Sequence, residues 1–356
     1  CVTMPRLAEQ SSNVRSRELR EADFDAWCAL LGRSPQGGVY GRPEYLAALC
    51  EATGASFRII GVFLNDQLVG GVPLYERRQR AGTIVANRTL LYYNGIVLDL
   101  PSRKFHSDET AQMQSVLAEL ERSLAGGGYA HVSLHNHSSL IDVRPFLVRG
   151  WQSSLSYTYV VSLTDMTRQW ERVDQNLKRL IRRCERDGAS YREDADFDAL
   201  FRLHWQTHRR KGAPLYLPEA AFRRFFERLH ACGLARLGHA VFHDKVVASQ
   251  LMLVGPYPVG HTVCAGADEA YLKSGASAFL RWNAILSLHR DGYAANDLTD
   301  ASLNPVTRFK SQLGGALTPT LSVTRTDSLL FRVMGTAQHI RTGLQRLRRS
   351  QAREAA

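Results

Sequence analysis

Residues 237–254, LGHAVFHDKVVASQLMLV, hold two apolar runs around the polar trio His243-Asp244-Lys245. Two such runs joined by a tight polar turn predict a β-hairpin. The same layout stands earlier in the chain. FRIIGVFLNDQLVGGVPLYERR, residues 57–78, again places two apolar runs around a short turn, Asn65-Asp66. Laid over one another, Asn65–Gly71 falls on His243–Ser249.

Working outward, each hairpin has the same sequel. After the first come a strand near Leu91–Leu98 (LYYNGIVL), a helix over 109–125 ending at Gly126-Gly127-Gly128, and a strand from Tyr129 to His135. After the second come a strand at 260–266 (GHTVCAG), a helix over about 275–290 behind Ser274-Gly275, and a strand at 293–298. Hairpin, strand, helix and strand occur twice, which points to a duplicated unit. The expected fold is α/β (α+β): two tandem units, 19–164 and 165–328, each a mixed, mostly antiparallel sheet flanked by helices. Helical spacing at 23–31 and 43–51, with Pro43 suited to a first turn, adds helices before the first hairpin. Residues 1–18 read as a loose leader and 329–356 as a basic C-terminal helix.

Composition narrows the function. The 356 residues carry 45 Lys and Arg against 34 Asp and Glu, a net charge of +11. That balance favours anionic partners: nucleic acid, phosphorylated metabolites or an acidic membrane surface. No run approaches ~18 apolar residues, so no transmembrane helix is expected. The start, CVTMPRLAEQ, lacks the apolar core of a signal peptide. Six cysteines make no CxxC and read as reduced thiols of a cytoplasmic protein.

The charge is concentrated in two places. Trp170, Val173, Leu177, Leu180 and Cys184 form one apolar helix stripe, and Arg168, Arg172, Lys178, Arg179, Arg182, Arg183 and Arg186 fill the other faces. An apolar stripe with a nearly single-sign outer face is an anion platform. The tail, HIRTGLQRLRRSQAREAA (339–356), repeats the pattern on Ile340, Leu344 and Leu347. With no long apolar face, it suits packing on the body or RNA before peripheral contact with anionic lipid. His204 and His208 share a helix face, but the glutamate of HExxH is replaced by Trp205 and no third ligand is evident. His131, His135 and His137 alternate along a strand. No metal site is expected, nor a G-x-S-x-G elbow or a P-loop.

Several segments together resemble one family. NLKRLIRRCERDG (176–188), HWQTHRRKG (204–212), the hairpin 237–254, ADEAYLKSGASAFLRWNAILSLHRDG (267–292), NDLTDAS (296–302) and RFKSQLGG (308–315) resemble the Fem-type, BioF2-like acetyltransferase domain of the GNAT superfamily. The resemblance covers roughly 165–325, and the first half only by layout. It implies tandem GNAT units and an acyl transfer that makes an amide, with no resident cofactor. Fem-type members take an aminoacyl group from aminoacyl-tRNA, and other relatives use acyl-CoA. In this family an aromatic–lysine pair, here Phe309-Lys310, closes the second unit, and its lysine is proposed to stabilise the tetrahedral intermediate or the leaving tRNA terminus.

The chemistry of those residues agrees. Amine attack on an ester builds an oxyanion, and a fixed cation such as Lys310 stabilises it more in the transition state than in the ground state. Phe309 is expected to alternate onto the opposite face of a strand and pack in the core. Asp297 and Asp300, at the end of the preceding strand, are candidate bases for the acceptor ammonium. Arg308 and the α-helical Arg179, Arg182 and Arg183 are candidate donor contacts. At Leu272-Lys273-Ser274-Gly275-Ala276-Ser277, a helix start matches the place where GNAT enzymes hold pyrophosphate. Lys273, Ser274 and Gly275 can meet phosphate there, but Leu272 stands where the family has Gln or Arg. The expected partners are tRNA, or acyl-CoA, and a small-molecule or peptide amine acceptor. The sequence leaves open a non-catalytic binding module and the oligomeric state.

Overall fold

The computed structural model describes residues 14–303 and 305–333. In chain order its elements are β1 (Val14–Glu18), α1 (Phe24–Arg33), α2 (Pro43–Thr53), β2 (Ser56–Leu64), β3 (Gln67–Gln79), β4 (Gly82–Val85), β5 (Val97–Leu98), α3 (His106–Ala125), β6 (His131–His135), α4 (Arg144–Leu147), β7 (Gln152–Ser162), α5 (Met166–Arg172) and α6 (Gln175–Arg186). There follow β8 (Ser190–Asp194), α7 (Phe197–Lys211), α8 (Glu219–Ala231), β9 (Ala235–Phe242), β10 (Lys245–Leu253), β11 (Val259–Ala267), α9 (Ala276–Arg290), β12 (Ala295–Asp297), α10 (Pro305–Gln312) and β13 (Ala316–Thr326).

Both expected hairpins form. Each closes on two consecutive left-handed residues: Asn65 and Asp66 (φ 48° and 65°), and His243 and Asp244 (φ 44° and 62°). Asn, Asp and His tolerate that region better than other residues, and such turns match the twist of the strands they join. The strands make one mixed sheet in the order β1-β2-β3-β4-β6-β13-β7-β12-β11-β10-β9-β8, with β5 beside β3.

The two units meet by exchanging strands. β13, late in the chain, pairs antiparallel with β6 of the first half and with β7. β7, which precedes residue 165, pairs antiparallel with β12 of the second half. Edges that each half would otherwise present to solvent are thereby paired. Helices cover both faces. α1, α2 and α8 pack on one side in a core that includes Trp27, Tyr45, Phe222 and Phe225. α3 and α4 cover the other face of the first half, and α5, α6 and α9 that of the second. Gly266 lets α7 lie against β11, because a Cβ there would fall 2.4 Å from the Leu203 backbone.

Four local expectations change. Residues 14–18, expected in a loose leader, form an edge strand antiparallel to β2. Of Leu91–Leu98 only Val97–Leu98 is strand; Leu90 is left-handed and Leu91 bonds back to Arg88, which turns the segment away. The basic stripe is two helices, broken at Val173-Asp174, where the Asp174 carboxylate accepts from the Asn176 and Leu177 amides and starts α6. Phe309 and Lys310 lie on the helix α10 and not on a strand, so they are neighbours on adjoining faces and not opposite ones. The basic tail 339–356 lies outside the described residues. Among these, no helix is long and apolar enough to cross a membrane.

Candidate active site

β12 ends at Asp297, and the chain then turns through Thr299 and Asp300, both left-handed at φ 49° and 47°. Two consecutive left-handed non-glycine residues cost energy and persist only where their surroundings hold them. The hold here is Asp297. Its carboxylate, 1% exposed, accepts hydrogen bonds from the Tyr93 hydroxyl (2.7 Å), the Thr158 hydroxyl and the Thr299 amide (2.7 Å). The His261 imidazole stands 3.8 Å away, and burial holds it down to about 4, hence neutral at pH 7. Asp297 thus sits where it holds the turn, its carboxylate already committed to three donors, and of the two candidate bases Asp300 is the one that lines the cavity.

The turn aims two carbonyls at one point. The Lys310 ammonium donates to the Thr299 and Asp300 carbonyl oxygens, the latter at 2.8 Å. An ammonium has three donors, so one remains for a substrate oxygen. Lys310 is 8% exposed. Burial lowers its pKa to about 8, helped by the nearby Arg281 guanidinium and opposed by Asp300 and Asp297.

Two cavities flank the Lys310 segment: Asp300, whose carbonyl accepts from Lys310, lines one, and Phe309, its neighbour in the chain, lines the other. One, of about 630 Å³, is lined by residues that include Tyr92, Tyr93, His135, Thr158, Tyr216 and Asp300. Its walls come from both halves, with Thr158 on the seam strand β7. The exposed Asp300 carboxylate accepts from the Ser302 amide (3.0 Å) and hydroxyl. His135 is kept neutral by burial and contacts the Thr320 hydroxyl at 3.0 Å. The second cavity is a groove of about 300 Å³ lined by Thr207, Arg210, Lys211, Ser277, Arg281 and Phe309, among others. It is cationic and contains no carboxylate. Arg281 lies over the Phe309 ring at 5.9 Å, and one of its nitrogens, Nη1, is buried without a hydrogen-bond partner. Burial also lowers the Lys211 pKa, with Arg210 and Arg281 repelling it further.

The structure brings Lys310, Asp297, Asp300 and Phe309 together. Arg308 is exposed on α10, and its carbonyl accepts from Ser311. Lys273, Ser274 and Gly275 lie at the start of α9, but α6 covers that turn. Gly275 (φ 93°) leaves room for the Leu180 carbonyl, and a Cβ would fall 2.6 Å from it. Arg183 donates to the Lys273 carbonyl, while the Ser274 hydroxyl donates to Tyr271. Arg179 and Arg182 are exposed on α6, Arg182 over the Trp170 ring. His204 is fully buried, 3.3 Å from the Cys264 sulfur. Among the described residues no three His, Cys, Asp or Glu gather as a metal would require. Sequence reasoning missed Tyr93, Thr158, Arg210, Lys211 and Arg281. Only the paired tyrosines of LYYNG and the HRRKG run offered a signal.

Comparison with known proteins bears on this arrangement. Residues 171–311 match the family model for the acetyltransferase (GNAT) domain. No curated protein matches the chain in sequence. Among solved structures, FemX superposes with a TM-score of 0.67 at 10% identity, over 86% of this chain and 96% of FemX. L-PGS from Bacillus licheniformis gives 0.53 at 12% identity, over 86% and 97%. A tandem GNAT protein from the clavulanic acid biosynthesis pathway gives 0.53 at 12% identity, over 88% and 98%.

Proposed function

We propose that this chain, whose residues 171–311 match the acetyltransferase (GNAT) domain, is a Fem-type acyltransferase that moves an aminoacyl group from aminoacyl-tRNA onto an amine. The observation that carries this reading is Lys310, a cation held by two carbonyls, with a cationic groove on the Phe309 side and a hydroxyl-rich cavity, lined also by Arg88 and Asp300, on the other. The groove takes the donor: Arg210, Lys211 and Arg281 meet its phosphates, and the unpartnered Arg281 nitrogen awaits an acceptor atom. Phe309 offers a ring face to the terminal base or sugar. The larger cavity takes the acceptor amine.

In the reaction the amine nitrogen bonds to the ester carbonyl carbon. The oxyanion that forms takes the third Lys310 donor. The Asp300 carboxylate, open to the cavity, accepts the proton that the acceptor ammonium loses. The carbon–oxygen bond to the ribose then breaks, and the leaving ribose oxygen takes the second proton shed by the attacking nitrogen as it becomes an amide. The exposed arginines 179, 182 and 183 add sequence-independent attraction to the tRNA backbone. A tRNA donor places the reaction in the cytoplasm.

An acyl-CoA donor is the competing reading. The Ser277 end of α9 lines the groove, which supports it, whereas α6 over Gly275 and the absence of Gln or Arg at Leu272 count against it. Filter binding to charged and uncharged bulk tRNA, with CoA as competitor, separates the two. Tighter, salt-resistant retention of charged tRNA supports the proposal. Equal retention erased by moderate salt, or displacement by CoA, rejects it.

A further inference from the structure

β7 and β13 lie side by side near the middle of the sheet, where both faces are normally covered. Antiparallel partners share a face, and here Leu317 pairs with Tyr159, Pro319 with Tyr157 and Leu321 with Leu155. At one end of this face Leu321 packs into the α3–α4 core; at the other, Tyr159 packs into the α5–α6 core. Between them the apolar side chains are exposed, and Leu155 and Tyr157 also line the cavity of about 630 Å³. Leu155 is 60% exposed, Tyr157 44% and Leu317 54%, and Pro319 is exposed beside them. Contiguous exposed apolar surface of this kind marks a contact site.

Its border is basic. α5 sits directly on the start of β13, with the Arg172 side chain and backbone 3.0 Å from where a Gly314 Cβ would be. Arg168 lies one turn back on the same helix side. Both are exposed. Aliphatic and tyrosyl side chains next to these arginines, on a chain of net charge +11, complement a surface that is apolar below and anionic above. RNA would gain little from Leu155, Leu317 and Pro319, and a second copy would bring the same arginines against themselves.

We propose that this saddle, Leu155, Tyr157, Leu317 and Pro319 with Arg168 and Arg172, docks the protein peripherally on an anionic lipid bilayer. The inference does not depend on the donor. It is tested by flotation of the full chain with phosphatidylcholine vesicles and with vesicles containing 30% phosphatidylglycerol (about 30%, enough to give an anionic surface). The bound fraction should rise with phosphatidylglycerol and fall with salt. Arg168→Gln/Arg172→Gln should lower the partition coefficient on the order of tenfold or more, and Leu155→Ser/Leu317→Ser by a similar factor. Both pairs are exposed, and melting curves check that each variant folds. If the serine pair fails to fold, the glutamine pair and an added Tyr157→Ser carry the test. Trp205→Ser/Arg209→Gln, an exposed ring–cation pair on α7, should change nothing. Binding independent of phosphatidylglycerol, equal loss in the α7 control, or variants that alter only dimerisation or tRNA retention would overturn the proposal.

Discussion

Lys310 offers a prediction that can be worked through from its surroundings. Its pKa falls from 10.5 to about 8, chiefly because the ammonium is buried, and secondarily because Arg281 repels it. Because the folded value lies below the unfolded one, the unfolded chain holds this proton more tightly. Between pH 8 and 10.5 the unfolded state is still protonated while the folded state is not, so stability rises with pH across that window. At about 1.4 kcal/mol per pH unit, the full rise is about 3 kcal/mol. Substituting Lys310→Met removes it. Methionine leaves the Thr299 and Asp300 carbonyls without a donor, a cost of about 1–3 kcal/mol each where buried. At pH 7 that cost and the removed burial penalty nearly offset one another. The assay is urea denaturation of both proteins at pH 7 and pH 10. The wild type minus Lys310→Met difference should grow by about 2–3 kcal/mol between the two, which cancels the titration of other groups. The same proton sets an alkaline limb on turnover near pH 8, absent in the variant. Parallel pH dependences for the two proteins would refute the placement of a buried ammonium at this turn.

Asp297→Asn should lower stability by about 2–4 kcal/mol, because a carboxylate accepting three hydrogen bonds becomes an amide with donors facing donors; thermal denaturation reads this as a drop of several degrees. Asp300→Asn should leave the melting temperature within a degree or so but slow transfer by about 100-fold, measured under single turnover. Arg281→Met should leave the free protein as stable or more stable, since it removes a desolvated, incompletely partnered cation. The same change should weaken donor binding by about tenfold or more, read by filter retention. Gly266→Ala should cost about 3 kcal/mol or more, because the new methyl meets the α7 backbone and not a movable side chain; denaturant midpoints check it.

The hairpins were legible because they are local: alternating runs and a turn of residues suited to left-handed backbone carry the whole signal. The duplication was legible for the same reason, and the tandem architecture followed. The strand exchange at the seam was not, since β13 finds β6 across some 180 intervening residues and no local pattern encodes that choice. β7 carries an alternating run, Leu155-Ser156-Tyr157-Thr158-Tyr159, which sequence reasoning missed. At the site, Lys310 stood out by its motif. Its helix did not, because Pro305 opens it only one turn before the pair. The burial of Asp297 was not legible: a turn aspartate looks exposed in sequence, and its burial depends on Tyr93 and Thr158 from the other half. Arg281 is invisible within a helix rich in apolar residues, and only the fold aims it into the groove.

The most direct test of the account follows the acyl group itself. The protein is incubated with bulk tRNA charged with labelled amino acids and with an amine fraction, and label is counted after alkaline hydrolysis, which cleaves the tRNA ester but spares an amide. The account predicts alkali-stable label that accumulates with the wild type and forms about 10²–10³ times more slowly with Lys310→Met. Label that stays alkali-labile with the wild type, or equal rates for both proteins, would contradict it.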